Sequence, residues 1–183
     1  AGGAAAFVVG AKGGFAELGD IARHRDEVFD VWVLGREPEP RYRLEVLAQS
    51  YAHAAEHALA GLERLTERIA SEYKLAAVSQ PHPAPLRSLG KLGVTKDALE
   101  PTTFVGEIGN LGSASLGLSL ALGFDNARKG QRMLAFGYGS GEGIAQEIEI
   151  TDTVPKIGAA DQVPGDAITV GTYYRWTRGR QAE

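Results

Sequence analysis

Three features predict an α/β layered domain built on a mixed, mostly parallel sheet with helices over its faces. Short apolar runs bounded by glycine or proline show no polar alternation, as expected of strands covered on both sides. A single apolar stripe of about seven helical turns separates two of these runs and is long enough for a crossover. A glycine-rich turn joins the last two runs directly, so those strands are expected to be antiparallel neighbours. The expected order is β-α-β-α-β-α-β-β, with the core in residues 1–152 and an extension over 153–183.

In chain order, Ala4–Val9 reads as a buried strand closed by Gly10 and the Gly13–Gly14 pair. Residues 15–42 read as polar and irregular around an aromatic knot at Phe29, Asp30, Val31 and Trp32, until Pro38 and Pro40 break the chain. Leu44, Leu47, Tyr51, Ala55, Ala58, Leu62, Leu65 and Ile69 advance in steps of three and four and predict one long amphipathic helix. Lys74–Ser79 predicts a short buried strand. Pro81, Pro83 and Pro85 make a stiff turn, and Pro85 opens a short helix that carries Leu86, Leu89 and Leu92 inward. Thr103–Ile108 reads as another strand. Ser113 to Ala127 reads as a helix of small residues, in which Gly117 and Gly123 allow close backbone approach. Gln131–Phe136 and Ala145–Thr151, the latter alternating as a half-exposed strand through Ile148 and Ile150, complete the sheet, and a final short strand is expected at Ile168–Trp176.

The 183 residues, 44% hydrophobic and 23% charged, suit one globular domain. A formal net charge of -4 argues against non-specific nucleic-acid binding, and no apolar run is long enough to span a bilayer. The absence of cysteine removes disulfides, zinc-thiolate sites and a thiolate nucleophile from this chain, and is compatible with a cytoplasmic protein. The chain opens at Ala1 on its most apolar strand, so a further segment upstream is expected.

Three segments end a strand and open a loop or helix: Ser79–His82, Gly106–Ser115 and Phe136–Gly143. Ligands of open α/β sheets collect at the carboxyl ends of strands, so these turns are expected to converge on one site. They bring an imidazole, a carboxamide, hydroxyls and accessible backbone N–H groups. His82 alone would read as a buried histidine bonded to a carbonyl; its place after a strand, in a proline-rich turn beside two other such turns, favours chemistry. Asn110 reads equally as a turn residue and as a ligand. Ser113 and Ser115 read as capping and packing residues. Phe29, Val31 and Trp32 read as packing, with an acyl tunnel as the other option.

Two short patterns fare less well. GYGSGEG lacks the third glycine of G-x-G-x-x-G, since Glu142 stands there, and a strand follows where a helix is needed. His53, Glu56 and His57 spell H-x-x-E-H, but both histidines project away from the apolar stripe and no third ligand is evident, so zinc hydrolysis is disfavoured.

QPH, GNLGSAS and GYGSG, in this order and spacing, resemble the C-terminal half of thiolase-superfamily condensing enzymes. Phe29–Trp32, the run Leu89–Lys96 and Tyr173–Trp176 are similar to the archaeal and bacterial hydroxymethylglutaryl-CoA (HMG-CoA) synthases. The resemblance implies a half that completes a five-layered fold with an N-terminal half. It implies that His82 polarises the acceptor ketone, that Asn110 holds the thioester and acyl oxygen, and that the Ser140 backbone N–H joins an oxyanion hole. Arg87 and Lys91 would contact CoA. Pro83–Ala84 stand where the archaeal branch reads Pro-Asn, which removes one polar contact. The substrates would be CoA thioesters, with no tightly bound cofactor and no metal. The nucleophilic cysteine and the acidic base belong to the family's N-terminal half, so the expected partners are that half, a second copy of the complete fold, acetoacetyl-CoA thiolase and a small zinc-ribbon bridging protein. A ketoacyl synthase of the third type, a degradative thiolase and a non-catalytic thiolase-like subunit are the alternatives.

Overall fold

The computed structural model describes residues 4–33, 35, 41–156, 158, 169 and 171–172. Its centre is a four-stranded mixed sheet made of β1 (Ala16–Arg25), β4 (Leu75–Val78), β5 (Arg132–Gly139) and β6 (Glu142–Ile150), in the order β1-β6-β5-β4. Only β4 and β5 run parallel; β5–β6 and β1–β6 are antiparallel. The mixed sheet is as expected, and the parallel share is smaller. A separate two-stranded ribbon pairs β2 (Val31–Trp32) with β3 (Arg41–Tyr42).

Period-two alternation splits each central strand between two cores. Ala76, Val78, Leu134, Phe136 and Ala145 face α1 (Leu44–Thr66), whose Tyr51, Ala55, Ala58, Leu59 and Leu62 are buried against them. Leu75, Ala77, Met133, Ala135, Ile148 and Ile150 face the other way, onto Phe124 of α5 (Ala114–Asn126). The helix α2 (Pro83–Lys91) and the short α3 (Lys96–Leu99) close the first core through Leu89 and Ala98. Helices on both faces explain why these strands read as unbroken apolar runs. The helix α1 stops at Thr66 because Glu67 turns left-handed and returns its N–H to the Glu63 carbonyl. Leu65 and Ile69, counted in the stripe, are therefore exposed.

Several expectations are corrected. Residues 4–10 form no strand and are exposed, and no strand among the described residues pairs with them. The polar segment after them holds β1, an edge strand whose alternation is disturbed by a register shift between Leu18 and Ile21. Thr103–Ile108 is not a strand. A 3-10 turn at Glu100–Thr102 leads into α4 (Val105–Ile108), since the Phe104 and Val105 N–H groups donate to the buried Gln80 side chain instead of a sheet. The strand expected over 168–176 lies outside the described residues except at 169, 171 and 172.

One close approach sets the distance between α1 and the sheet. A Cβ on Gly143 of β6 would stand 2.7 Å from the Ala54 carbonyl oxygen and 2.9 Å from Ala54 Cβ, so only glycine admits the helix at this depth. We expect Gly143→Ala to cost about 1–3 kcal/mol, read as a lowered urea midpoint with an unchanged slope.

Candidate active site

Two of the three turns follow sheet strands, β4 and β5, and the third follows α4. Beyond β4, the Ser79 N–H donates to the Phe136 carbonyl at 2.8 Å, extending the parallel pairing by one residue. Ser79 Oγ accepts from the Tyr138 N–H at 3.1 Å, and the Ser79 carbonyl accepts from the Tyr51 hydroxyl at 2.9 Å. Ser79 thus ties the His82 turn to the glycine-rich turn and to α1.

Gln80 ties it to the Asn110 segment. Its N–H donates to Ser115 Oγ at 2.8 Å. Its Oε1 accepts from the Phe104 and Val105 N–H groups at 3.0 and 3.1 Å. Its Nε2 donates to the Thr102 carbonyl at 2.7 Å and to Ser119 Oγ at 3.3 Å. Gln80 is wholly buried, so every one of these bonds is shielded from water. His82 follows Gln80 by two residues, Ser140 follows Tyr138 by two, and Asn110 precedes Ser115 by five. Ser79 and Gln80 thus join the His82 turn to the other two segments, of which the Asn110 one follows a helix and not the expected strand.

His82 is half-buried and caps α2. Its Nδ1 accepts the Ala84 N–H at 3.1 Å, occupying one of the donors a helix start leaves open. A ring nitrogen that accepts carries no proton, so the neutral ring holds its hydrogen on Nε2. Asn110 is exposed, and its Oδ1 accepts the Gly112 N–H at 2.8 Å, a local turn bond that bears out the turn reading. Ser140 lies in the two-residue loop between β5 and β6, where Gly139 pairs with Glu142. Ser140 and Gly141 have φ of 47° and 81°, the pair of positive values that suits such a loop to the twist of the strands. Arg87 and Lys91 are exposed and one turn apart on α2, the helix that His82 caps. Lys91 also lines a cavity of about 440 Å³ with Arg68, Ser71 and Tyr73, which none of His82, Asn110 and Ser140 lines.

The serine assignments divide. Ser115 Oγ is buried packing polarity, as expected, while Ser113 makes no side-chain cap for α5. Phe29 is 88% exposed and so is not core of this chain. The buried member of that knot is Asp30, whose Oδ2 accepts the Tyr138 hydroxyl and whose Oδ1 has no partner among the described residues. The Tyr138 oxygen in turn accepts the Gly141 N–H at 3.3 Å, so Asp30 braces the Ser140 loop through Tyr138. Gln80 and Asp30 carry no role in the sequence reading beyond their places in the His82 turn and the aromatic knot. An aspartate between phenylalanine and valine was the one available signal.

Burial, then the bond to Asp30, pushes the Tyr138 phenol up to about 12. Tyr51 is also raised, by burial first and Tyr138 second. A phenol whose folded pKa exceeds its unfolded value of about 10 adds stability that is complete below that value and fades as pH rises through the folded one. We therefore expect the stability gap between the parent and Tyr138→Phe to narrow as pH rises from about 10 to 12, measured by denaturant unfolding at each pH.

No protein-family model matches the chain. Solved structures show the fold. The chain superposes on a 3-oxoacyl-(acyl carrier protein) synthase III from Pseudomonas aeruginosa with a TM-score of 0.65 at 18% identity, over 75% of this chain and 45% of that one. It superposes on an HMG-CoA synthase complexed with CoA with a TM-score of 0.66 at 16% identity, over 87% of this chain and 47% of that one. The fold is thus the thiolase-like fold of these two structures. In sequence the chain is 32% identical over 158 residues to the hydroxymethylglutaryl-CoA synthase of Aeropyrum pernix, covering 84% of this chain and 44% of that protein. It is 31% identical over 162 residues to that of Methanopyrus kandleri, covering 86% and 46%. The chain belongs with the hydroxymethylglutaryl-CoA synthases and spans about half the length of these curated relatives.

Proposed function

We propose that this chain supplies the histidine-bearing half of an HMG-CoA synthase site, which condenses acetyl-CoA with acetoacetyl-CoA and uses one water to hydrolyse the product from the enzyme thioester, giving HMG-CoA and free CoA. The observation that carries the reading is the His82 cap. With Nδ1 engaged by the Ala84 N–H, the ring presents Nε2–H as a donor. An enolate that attacks a ketone builds an alkoxide, and a fixed donor facing that oxygen lowers the barrier. The Asn110 carboxamide NH2 and the Ser140 backbone N–H serve the thioester oxygens from the adjoining turns. Arg87 and Lys91, on the helix that begins at His82, serve the CoA phosphates.

The nucleophile comes from outside this sequence, which contains no cysteine. A cysteine-bearing and acid-bearing segment, on a preceding stretch or a separate chain, accepts the acetyl group and deprotonates its methyl. Exposed Phe7, Val8 and Val9, together with Leu18 and Ile21 on edge strand β1, supply apolar surface for that half to cover. A dimer of the completed fold, acetoacetyl-CoA thiolase and a zinc-ribbon bridging protein are the further partners of this reading. No helix among the described residues is long and apolar enough to cross a membrane, and the cytoplasm is the proposed location.

The test uses labelled acetyl-CoA. The chain alone should take up no label and make no product. The complex with its cysteine-bearing half should become acetylated on that half and release HMG-CoA when acetoacetyl-CoA is added. Condensation by the chain alone, or an acetylated complex that never condenses, would overturn the proposal.

A further inference from the structure

Three of the chain's four histidines meet at one place outside the candidate active site. His53 and His57, four residues apart on α1, share a helix face, and His24 reaches them from β1. The His24 and His57 rings stack at 4.3 Å, and those of His53 and His57 lie 4.2 Å apart. Asp26 Oδ2 stands between two of them, 3.0 Å from His24 Nε2 and 3.1 Å from His53 Nε2. One ligand atom from each histidine lies within 4.8 Å of the others. The fold thereby supplies the third ligand that the H-x-x-E-H spacing lacks, from an edge strand distant in sequence.

The His57 tautomer suits a cation. His57 Nδ1 lies 3.0 Å from the His53 carbonyl, an oxygen that can only accept, so Nδ1 carries the hydrogen and Nε2 keeps its lone pair in the neutral ring. Metal-bound histidines are oriented by this kind of second bond to a carbonyl. Tetrahedral zinc with bonds of about 2.0–2.1 Å needs ligand atoms roughly 3.3 Å apart. His53 and Asp26, with side chains 50% and 39% exposed, can close from the observed spread by side-chain torsion.

We propose that His24, His53 and His57, with Asp26 as fourth ligand, bind one divalent transition-metal cation of the zinc class. Three imidazoles and a carboxylate suit zinc, and four protein ligands leave no open position, so the role is structural and not hydrolytic. Glu56, the acid of the motif, instead lines the separate cavity with Lys91. The metal would staple the end of β1 to α1. Because the Asp26 N–H donates to the Gly141 carbonyl at 3.1 Å, it would also brace the loop that presents Ser140.

The test is zinc titration of tag-free, chelator-stripped chain, with cobalt as a coloured reporter. We expect one zinc per chain, intense tetrahedral-type cobalt bands and a melting temperature raised by zinc. The His53→Ala/His57→Ala variant removes two largely exposed side chains, so it should keep the parent circular dichroism and lose at least about 100-fold in affinity. Asp26→Asn should lose about 10-fold or more. No stoichiometric zinc, weak octahedral-type cobalt bands, or equal affinity in the folded double variant would overturn the proposal.

Discussion

His82→Asn, in the enzyme completed by its cysteine-bearing half, is expected to lose condensation by at least about 100-fold while acetyl transfer stays at the parent rate. Asparagine is as good a helix cap as any residue, and its Oδ1 can take the Ala84 N–H that His82 Nδ1 now accepts. Stability should therefore stay within about 0.5 kcal/mol of the parent, whereas His82→Ala should lose about 0.5–2 kcal/mol along with the activity. Asparagine has no hydrogen where Nε2–H stands, so the developing alkoxide goes unmet. Separate assays of acetylation and of product release, with a denaturation curve for each variant, read these effects apart. Equal loss of both steps would make His82 a general structural residue, and loss of neither would remove it from the chemistry.

Gln80→Leu is expected to cost about 3–5 kcal/mol, a loss that few single changes reach. Leucine fills the volume but leaves the Phe104 and Val105 N–H groups without an acceptor in a wholly buried site. Each such orphan costs about 1–3 kcal/mol, and the Thr102 carbonyl and Ser119 Oγ also lose the Nε2 donor. The same change frees the Asn110 segment from β4, so hydrogen exchange at Phe104 and Val105 should rise before global unfolding. A loss below about 1 kcal/mol would mean that the turns are held together by something other than this side chain.

The parts of this fold that could be read from sequence are those where local pattern and tertiary demand agree. The stripe of α1 and the apolar runs of β4 and β5 are buried as their periodicity requires. The failures occur where a partner outside the local stretch decides. Ala4–Val9 has strand composition, but a strand needs a neighbour, and the described residues provide none. Residues Ala16–Arg25 look like a loop because a register shift, an exposed face and edge charges hide their alternation. Phe104 and Val105 look like a strand until Gln80, more than twenty residues away, takes their N–H groups. The candidate site shows the same division. Motif spacing pointed to His82, Asn110 and Ser140, whereas Gln80, Asp30 and the His24–Asp26 contribution to the histidine cluster depend on contacts that spacing does not encode.

The most direct measurement is the proton position on His82 itself. With nitrogen-15 in the imidazole rings, a proton–nitrogen correlation spectrum of the folded chain, assigned by comparison with His82→Asn, distinguishes the nitrogen that bears hydrogen from the one that does not. The His82 cap requires a bare Nδ1 and a protonated Nε2 in the neutral ring, with the Nε2 signal moving when acetoacetyl-CoA binds to the completed enzyme. A neutral His82 with its hydrogen on Nδ1 would leave no donor for the ketone oxygen and would contradict the proposed role.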